Sequence, residues 1–171
     1  RLVHASIVDA ARLCGAKLRV FAHNDLNALQ KILQWADRRQ PPADRGSRRP
    51  RTLIVTESVF SMDGDHAPLR EIAELKDKHG AWLMVDEAHA TGIYGVHRRG
   101  LAESMDVSGR IEIQMGTLGK ALGAAGGCIC GSRTLIDYLI HRARSFVFST
   151  APTPATAGAA KAGVRFVQSE A

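Results

Sequence analysis

Short apolar runs alternate with stretches whose apolar residues repeat at helical spacing, and the alternation continues along most of the chain. Thr52-Leu53-Ile54-Val55-Thr56, Trp82-Leu83-Met84-Val85, Ile111-Glu112-Ile113-Gln114-Met115 and Gly127-Cys128-Ile129-Cys130 read as strands, since brief apolar runs bounded by polar residues suit a covered sheet. Helices are expected between and around them. Asp25 can cap one whose Leu26, Leu29, Leu33 and Ala36 share a face. Pro68 suits the first turn of another, with Leu69, Ile72 and Ala73 inward and Gly80 at its end. Ser132 can cap a third, along which Leu135, Ile136, Leu139 and Ile140 form the inward face. This order predicts an α/β fold, a three-layer, mostly parallel sheet flanked by helices. No internal repeat is visible.

In such sheets ligands collect outside the carboxyl ends of the strands. Glu57, Ser58 and Ser61 follow the first strand, Asp86 and His89 end the second, and Thr117 and Lys120 follow the third. An acid, a base, hydroxyls and a lysine around one crevice predict a cofactor site. The string Val85-Asp86-Glu87-Ala88-His89, with Gly119-Lys120 nearby, also spells parts of a helicase-type NTPase. That reading fails on chemistry. A phosphate loop needs Ser or Thr after its lysine to hold magnesium, whereas Ala121 follows Lys120, Gln114 stands where the first glycine belongs, and the lysine comes after the acidic box.

Composition narrows the class. The 171 residues are 45% hydrophobic and carry a net charge of +6, which suits one soluble globular domain and excludes a disordered or collagen-like chain. No apolar run approaches the roughly 20 residues of a membrane helix, so no membrane association is expected. Nearly all the excess charge lies between Arg38 and Arg51, where Arg38, Arg39, Arg45, Arg48, Arg49 and Arg51 face a single Asp44. Pro41, Pro42, Gly46, Ser47 and Pro50 punctuate the same stretch, so it reads as an exposed surface insertion between two helix–strand units. Without interleaved aromatics it is read as a solvated loop and no nucleic-acid partner is expected. Cys14, Cys128 and Cys130 are odd in number and lack metal-type spacing, so no metal site is expected and a reducing, cytoplasmic setting is favoured. Cys128 and Cys130 are expected as buried core thiols on one strand face. The chain opens at Arg1 without a leader-like pattern and closes at Ala171 in helix-like sequence, which reads as a segment of something longer.

An Asp at a strand end, a His three residues on and a later Lys suit pyridoxal phosphate (PLP): a lysine amine bonds the cofactor aldehyde, and a carboxylate keeps the ring nitrogen protonated. Four segments carry a more specific likeness. Thr56-Glu57-Ser58-Val59-Phe60-Ser61-Met62-Asp63-Gly64-Asp65, Val85-Asp86-Glu87-Ala88-His89-Ala90-Thr91-Gly92, Gly116-Thr117-Leu118-Gly119-Lys120-Ala121-Leu122-Gly123 and Ala143-Arg144-Ser145-Phe146-Val147-Phe148-Ser149-Thr150 closely resemble the α-oxoamine synthases. These are fold-type I PLP enzymes that condense an amino acid with an acyl thioester and release carbon dioxide. The resemblance implies that residues 1–171 are the central part of a large PLP-binding domain, without an N-terminal segment and a C-terminal small domain.

The resemblance also implies roles. Lys120 matches the lysine that bonds the cofactor, Asp86 the partner of the ring nitrogen, and His89 the residue that hydrogen-bonds the phenolic oxygen. These three are the expected catalytic residues. His4 matches an imidazole stacked on the ring, Ser61 a hydroxyl beside it, and Thr117 a phosphate contact. Ser149 and Thr150 match hydroxyls given to the phosphate of a neighbouring subunit's cofactor, which implies a homodimer with a shared active site. Gly123, Gly126 and Gly127 are expected to allow close backbone packing near Lys120. The implied partners are an amino acid and an acyl-CoA or acyl-carrier-protein thioester. Glu87-Ala88-His89-Ala90-Thr91-Gly92, Leu118-Gly119-Lys120 and Ser149-Thr150-Ala151 are most similar to the members that join L-alanine to a pimeloyl thioester, rather than to those using glycine or serine. Two places depart from the pattern: Val96-His97-Arg98-Arg99-Gly100, where an Arg stands in place of a usual Gly, and Thr153, where a Pro is frequent.

Overall fold

A computed structural model of the chain describes residues 1–39 and 50–169. Residues 40–49, which hold most of the arginine-rich stretch, lie outside the described residues. Its flanks do not. Arg39 and Arg19 lie over the Trp35 ring at 4.8 and 4.4 Å, and Arg51 lies over Trp82 at 4.5 Å, so three basic side chains are taken up by aromatic faces.

Four strands, β1 (Leu53–Glu57), β2 (Trp82–Asp86), β3 (Ile113–Thr117) and β4 (Gly127–Gly131), form one sheet in sequential order. β1, β2 and β3 are parallel, and β4 runs antiparallel beside β3. The sheet is therefore mostly parallel, as its strand–helix–strand pattern predicts. β3 begins two residues later than expected, because Ser108–Arg110 close a 3-10 turn that carries the buried Ile111 to the sheet. Thr117 thereby becomes the last residue of β3 instead of a loop residue.

The helices follow their caps. Helix α1 spans Ala5–Leu13. Helix α2 (Leu26–Asp37) starts where Asp25 Oδ1 accepts the Ala28 N–H at 2.9 Å, and it buries Leu29 and Leu33. Helix α3 (Leu69–Lys78) follows Pro68 and buries Leu69, Ile72 and Ala73, with Gly80 in the left-handed region just past its end. Helix α4 is the short Leu101–Ser104. Together with β1 and β2 these residues form the core, in which Leu83, Val85 and Ala90 have no exposed surface.

The far side of the sheet is different. Ser132 Oγ caps α5 (Arg133–Arg142) by accepting the Leu135 N–H at 3.3 Å, as expected, yet none of its residues is buried. Leu135, Ile136 and Leu139 are half-buried and Ile140 is 44% exposed. Nor are residues buried in α6 (Arg144–Val147) or α7 (Pro154–Ser169). Cys128 and Cys130 are exposed too, against the expectation of core thiols. The reason is topological: β4 is the outer strand, paired only with β3 among the described residues, so its faces lack the cover an interior strand receives. Among the described residues no helix is long and apolar enough to cross a membrane.

Candidate active site

The parallel register sets the site. β1 and β2 pair so that Glu57 stands beside Asp86, and β2 pairs with β3 so that Asp86 stands beside Met115. The carboxyl ends of three neighbouring strands thus present Glu57, Asp86 and Thr117 along one edge.

Asp86 is 4% exposed. Its Oδ1 accepts the Ala88 N–H at 2.9 Å, which holds the carboxylate across the turn leaving β2. The strand end is clamped from the β1 side, where Ser58 donates to the Asp86 carbonyl from both N (2.9 Å) and Oγ (3.2 Å). Glu87 supplies the next support. Its buried carboxylate accepts from Leu101 N (3.0 Å) and Ala102 N (2.8 Å), capping α4 from the strand end, and lies 2.6 Å from Ser58 Oγ, whose one hydroxyl proton it shares with the Asp86 carbonyl. Gly100 makes room for it: φ there is 132°, and a Cβ would stand 2.6 Å from the Glu87 carboxylate carbon.

The chain then turns back. Ala90 and Thr91 N–H groups both donate to the Glu87 carbonyl at 2.9 Å, and the fully buried Ala90 pins the turn. His89 is thereby directed toward β3. Lys120, in the loop after β3, places Nζ 2.6 Å from His89 Nε2. Two basic nitrogens at this distance share one proton, one donating and the other accepting. The loop is shaped by Thr117, whose Oγ1 donates to Gly126 O (3.1 Å) and accepts from Gly119 N (3.2 Å). Thr117 Oγ1 thus braces the turn that presents the lysine.

The remaining expected residues divide into two groups. Ser61 is joined to the site through its N–H, which donates to Glu57 Oε2 at 3.3 Å. The His4 ring itself caps α1, with Nδ1 accepting the Ser6 N–H at 3.3 Å. Ser149 and Thr150 are exposed beyond α6, and neither forms a hydrogen bond with Lys120, His89 or Asp86 among the described residues; Ser149 Oγ donates to Phe146 O at 3.1 Å.

Two carboxyls stand out: Glu57, which the sequence places at the crevice without a role of its own, and Glu87, which it does not single out. Glu87 is a structural cap. Glu57 is 2% exposed, and its Oε1 is buried with no hydrogen-bond partner. Burial first, and the neighbouring Asp86 carboxylate second, push its carboxyl above the usual range, against opposing pulls from the Ser61 and His4 N–H groups and His89. The available signal was the acidic residue closing an otherwise apolar run one position after Thr56.

With this geometry in hand, the likeness to known proteins can be stated. The profile of the family described as aminotransferase class I and II matches residues 1–171. The 8-amino-7-oxononanoate synthase of Geotalea daltonii is 50% identical over 171 residues, covering 100% of this chain and 41% of that protein. The enzyme of the same name from Trichlorobacter lovleyi is 51% identical over 170 residues, covering 99% of this chain and 41% of that protein. A serine palmitoyltransferase from S. paucimobilis, solved with a bound PLP–myriocin aldimine, superposes with a TM-score of 0.88 at 32% identity, covering 98% of this chain and 40% of that one. An 8-amino-7-oxononanoate synthase from Francisella tularensis gives a TM-score of 0.78 at 32% identity, covering 98% and 45%. The chain spans about two fifths of the length of the curated relatives it matches. The chain belongs to the aminotransferase class I and II family, and its likeness within that family runs to the α-oxoamine synthases.

Proposed function

We propose that this chain carries the PLP-binding core of an α-oxoamine synthase that condenses L-alanine with a pimeloyl thioester to give 8-amino-7-oxononanoate, carbon dioxide and the free thiol. The observation that carries the reading is the contact of Lys120 with His89 beside the buried Asp86. An amine, an imidazole and a carboxylate at adjoining strand ends are the donor set that an aldehyde, a phenolic oxygen and a ring nitrogen require, so the residues present fit PLP.

Lys120 would hold the aldehyde carbon, Asp86 the ring nitrogen and His89 the phenolic oxygen. His4 and Ser61 would flank the ring, and Thr117 would face the phosphate. When bound, PLP supplies an electron sink for a carbanion at the amino acid's α-carbon. Lys120 Nζ would take the α-proton, and His89, at the phenolic oxygen, would tune the ring's electronics. Asp86, fixed by the Ala88 N–H, keeps a negative charge at the ring nitrogen. Ser149 and Thr150 are assigned to the phosphate of a second subunit, making a homodimer with a shared site. A cytoplasmic location fits a small-molecule synthase.

A second reading has its own support: the structural likeness to serine palmitoyltransferase, with a TM-score of 0.88, keeps a glycine- or serine-using sibling open. Offering alanine, glycine and serine with several acyl thioesters to the full-length protein, and following thiol release, separates the two. Alanine with pimeloyl thioester is expected to turn over fastest; a preference for glycine or serine would move the assignment. Lys120→Ala is expected to lose both the yellow colour of the cofactor-loaded enzyme and turnover, a drop of at least about a thousandfold. Normal turnover in that variant would remove the lysine from its role.

A further inference from the structure

Glu57 and Asp86 are register partners on adjacent parallel strands, with 2% and 4% of their surfaces exposed. Two carboxyls side by side, away from water, do not both ionise without a cation between them. Among the described residues, neither is in a salt bridge. This favours a proton on one of the pair, against the pull of the neighbouring His89. The hydrogen bonds indicate which. Asp86 Oδ1 accepts the Ala88 N–H at 2.9 Å, a short bond in a local turn that favours the ionised form. Glu57 accepts only the longer Ser61 N–H bond on Oε2, and its Oε1 is buried without a partner. A negative charge spread onto an orphaned buried oxygen is the costlier arrangement.

We propose that Glu57 is a positioning residue of the cofactor site: a buried carboxyl that keeps its proton at neutral pH, leaving Asp86 as the single negative charge toward a ring nitrogen, while its other oxygen ties the backbone of Ser61 to the end of β1. The inference rests on the reading above that the site holds PLP. The upward displacement of Glu57 by burial and by Asp86 agrees with it. A second ionised carboxylate here would add to the negative field at the ring nitrogen and would leave the strand ends repelling each other. A neutral acid avoids both and still accepts from the N–H group that sets Ser61.

The test is spectroscopic. In the cofactor-free, full-length protein at neutral pH, an infrared difference spectrum between wild type and Glu57→Gln is expected to contain a protonated carboxylic C=O band in the wild type that the variant lacks. Should Glu57→Gln fold poorly, Glu57→Met, of similar volume, serves the same subtraction. In the PLP-loaded protein, the pH midpoint of the cofactor's absorbance is expected to stay in place in Glu57→Gln, because a neutral amide replaces a neutral acid. Absence of the carboxylic band overturns the inference and leaves the functional reading standing. A midpoint that moves to lower pH also overturns it, since a lost negative charge would have that effect. A protein that shows the band but takes up no PLP overturns the functional reading and with it the positioning role.

Discussion

Arg98 illustrates how a single departure in sequence becomes a physical cost. It occupies the left-handed region at φ 54°, in the stretch where the resemblance expects a glycine, and this burdens an L side chain by roughly 1–2 kcal/mol. Its backbone is fully used: the N–H donates to Gly95 O at 3.1 Å, and the carbonyl accepts from Gly92 N at 2.8 Å. The turn therefore holds its shape and the side chain adapts. Arg98→Gly is expected to stabilise the protein by about 1 kcal/mol, read as a higher urea midpoint or Tm; a lower midpoint would mean that the guanidinium contributes more than the strain costs. Glu57 is the complementary case, where the residue type was visible in the chain but its significance came from a neighbour one strand away.

At the scale of elements, the sheet has a functional end and a structural end. At the amino ends of β2 and β3, Lys76 of α3, with its side chain 8% exposed, meets Glu112 at 2.5 Å and Asp77 at 2.9 Å. Glu112 also accepts the Leu83 N–H at 2.7 Å, and Arg110 grips Asp77 at 2.6 Å. Burial works against the Lys76 ammonium, yet its hydrogen bonds to Glu112 and Asp77 outweigh that and hold it above its usual value. Asp77 is lowered, chiefly by Arg110 and then by Lys76. Glu112→Ala would leave a covered ammonium with one partner and a strand N–H with none, at a cost of about 2–4 kcal/mol. Thermal unfolding is the measure, and PLP affinity is expected to be unchanged because the site lies at the other end of the strands. A parallel loss of cofactor affinity would show that the two ends are coupled.

For the whole molecule, the question is what completes the site. The core lies around α2, β1, α3 and β2, whereas β4, α5, α6 and α7 bury nothing among the described residues, and Phe146, Phe148 and Phe166 are 61%, 72% and 66% exposed. Ser149 and Thr150 lie on this open side, away from the hydrogen bonds that join Lys120, His89 and Asp86. If their hydroxyls serve a second copy's cofactor, mixing full-length Lys120→Ala with the double variant Ser149→Ala, Thr150→Ala is expected to restore turnover, since one site of each mixed dimer then has both contributions. No recovery after subunit exchange would place those hydroxyls outside a shared site.

Much of this was legible along the chain because it depends on neighbours in sequence. The caps at Asp25 and Ser132, the inward faces of α2 and α3, and the chemistry gathered at the ends of the parallel strands all follow from local spacing, so periodicity and residue type were enough to place them. Tertiary structure alone decided what depends on pairing and cover. It set Glu57 against Asp86 through strand register, brought Lys120 to His89 across the turn at Thr117, and left Cys128, Cys130 and Ile140 uncovered at the outer strand. Periodicity can say which residues share a face, but whether that face is buried is settled by what packs on it, and that is a property of the assembled sheet.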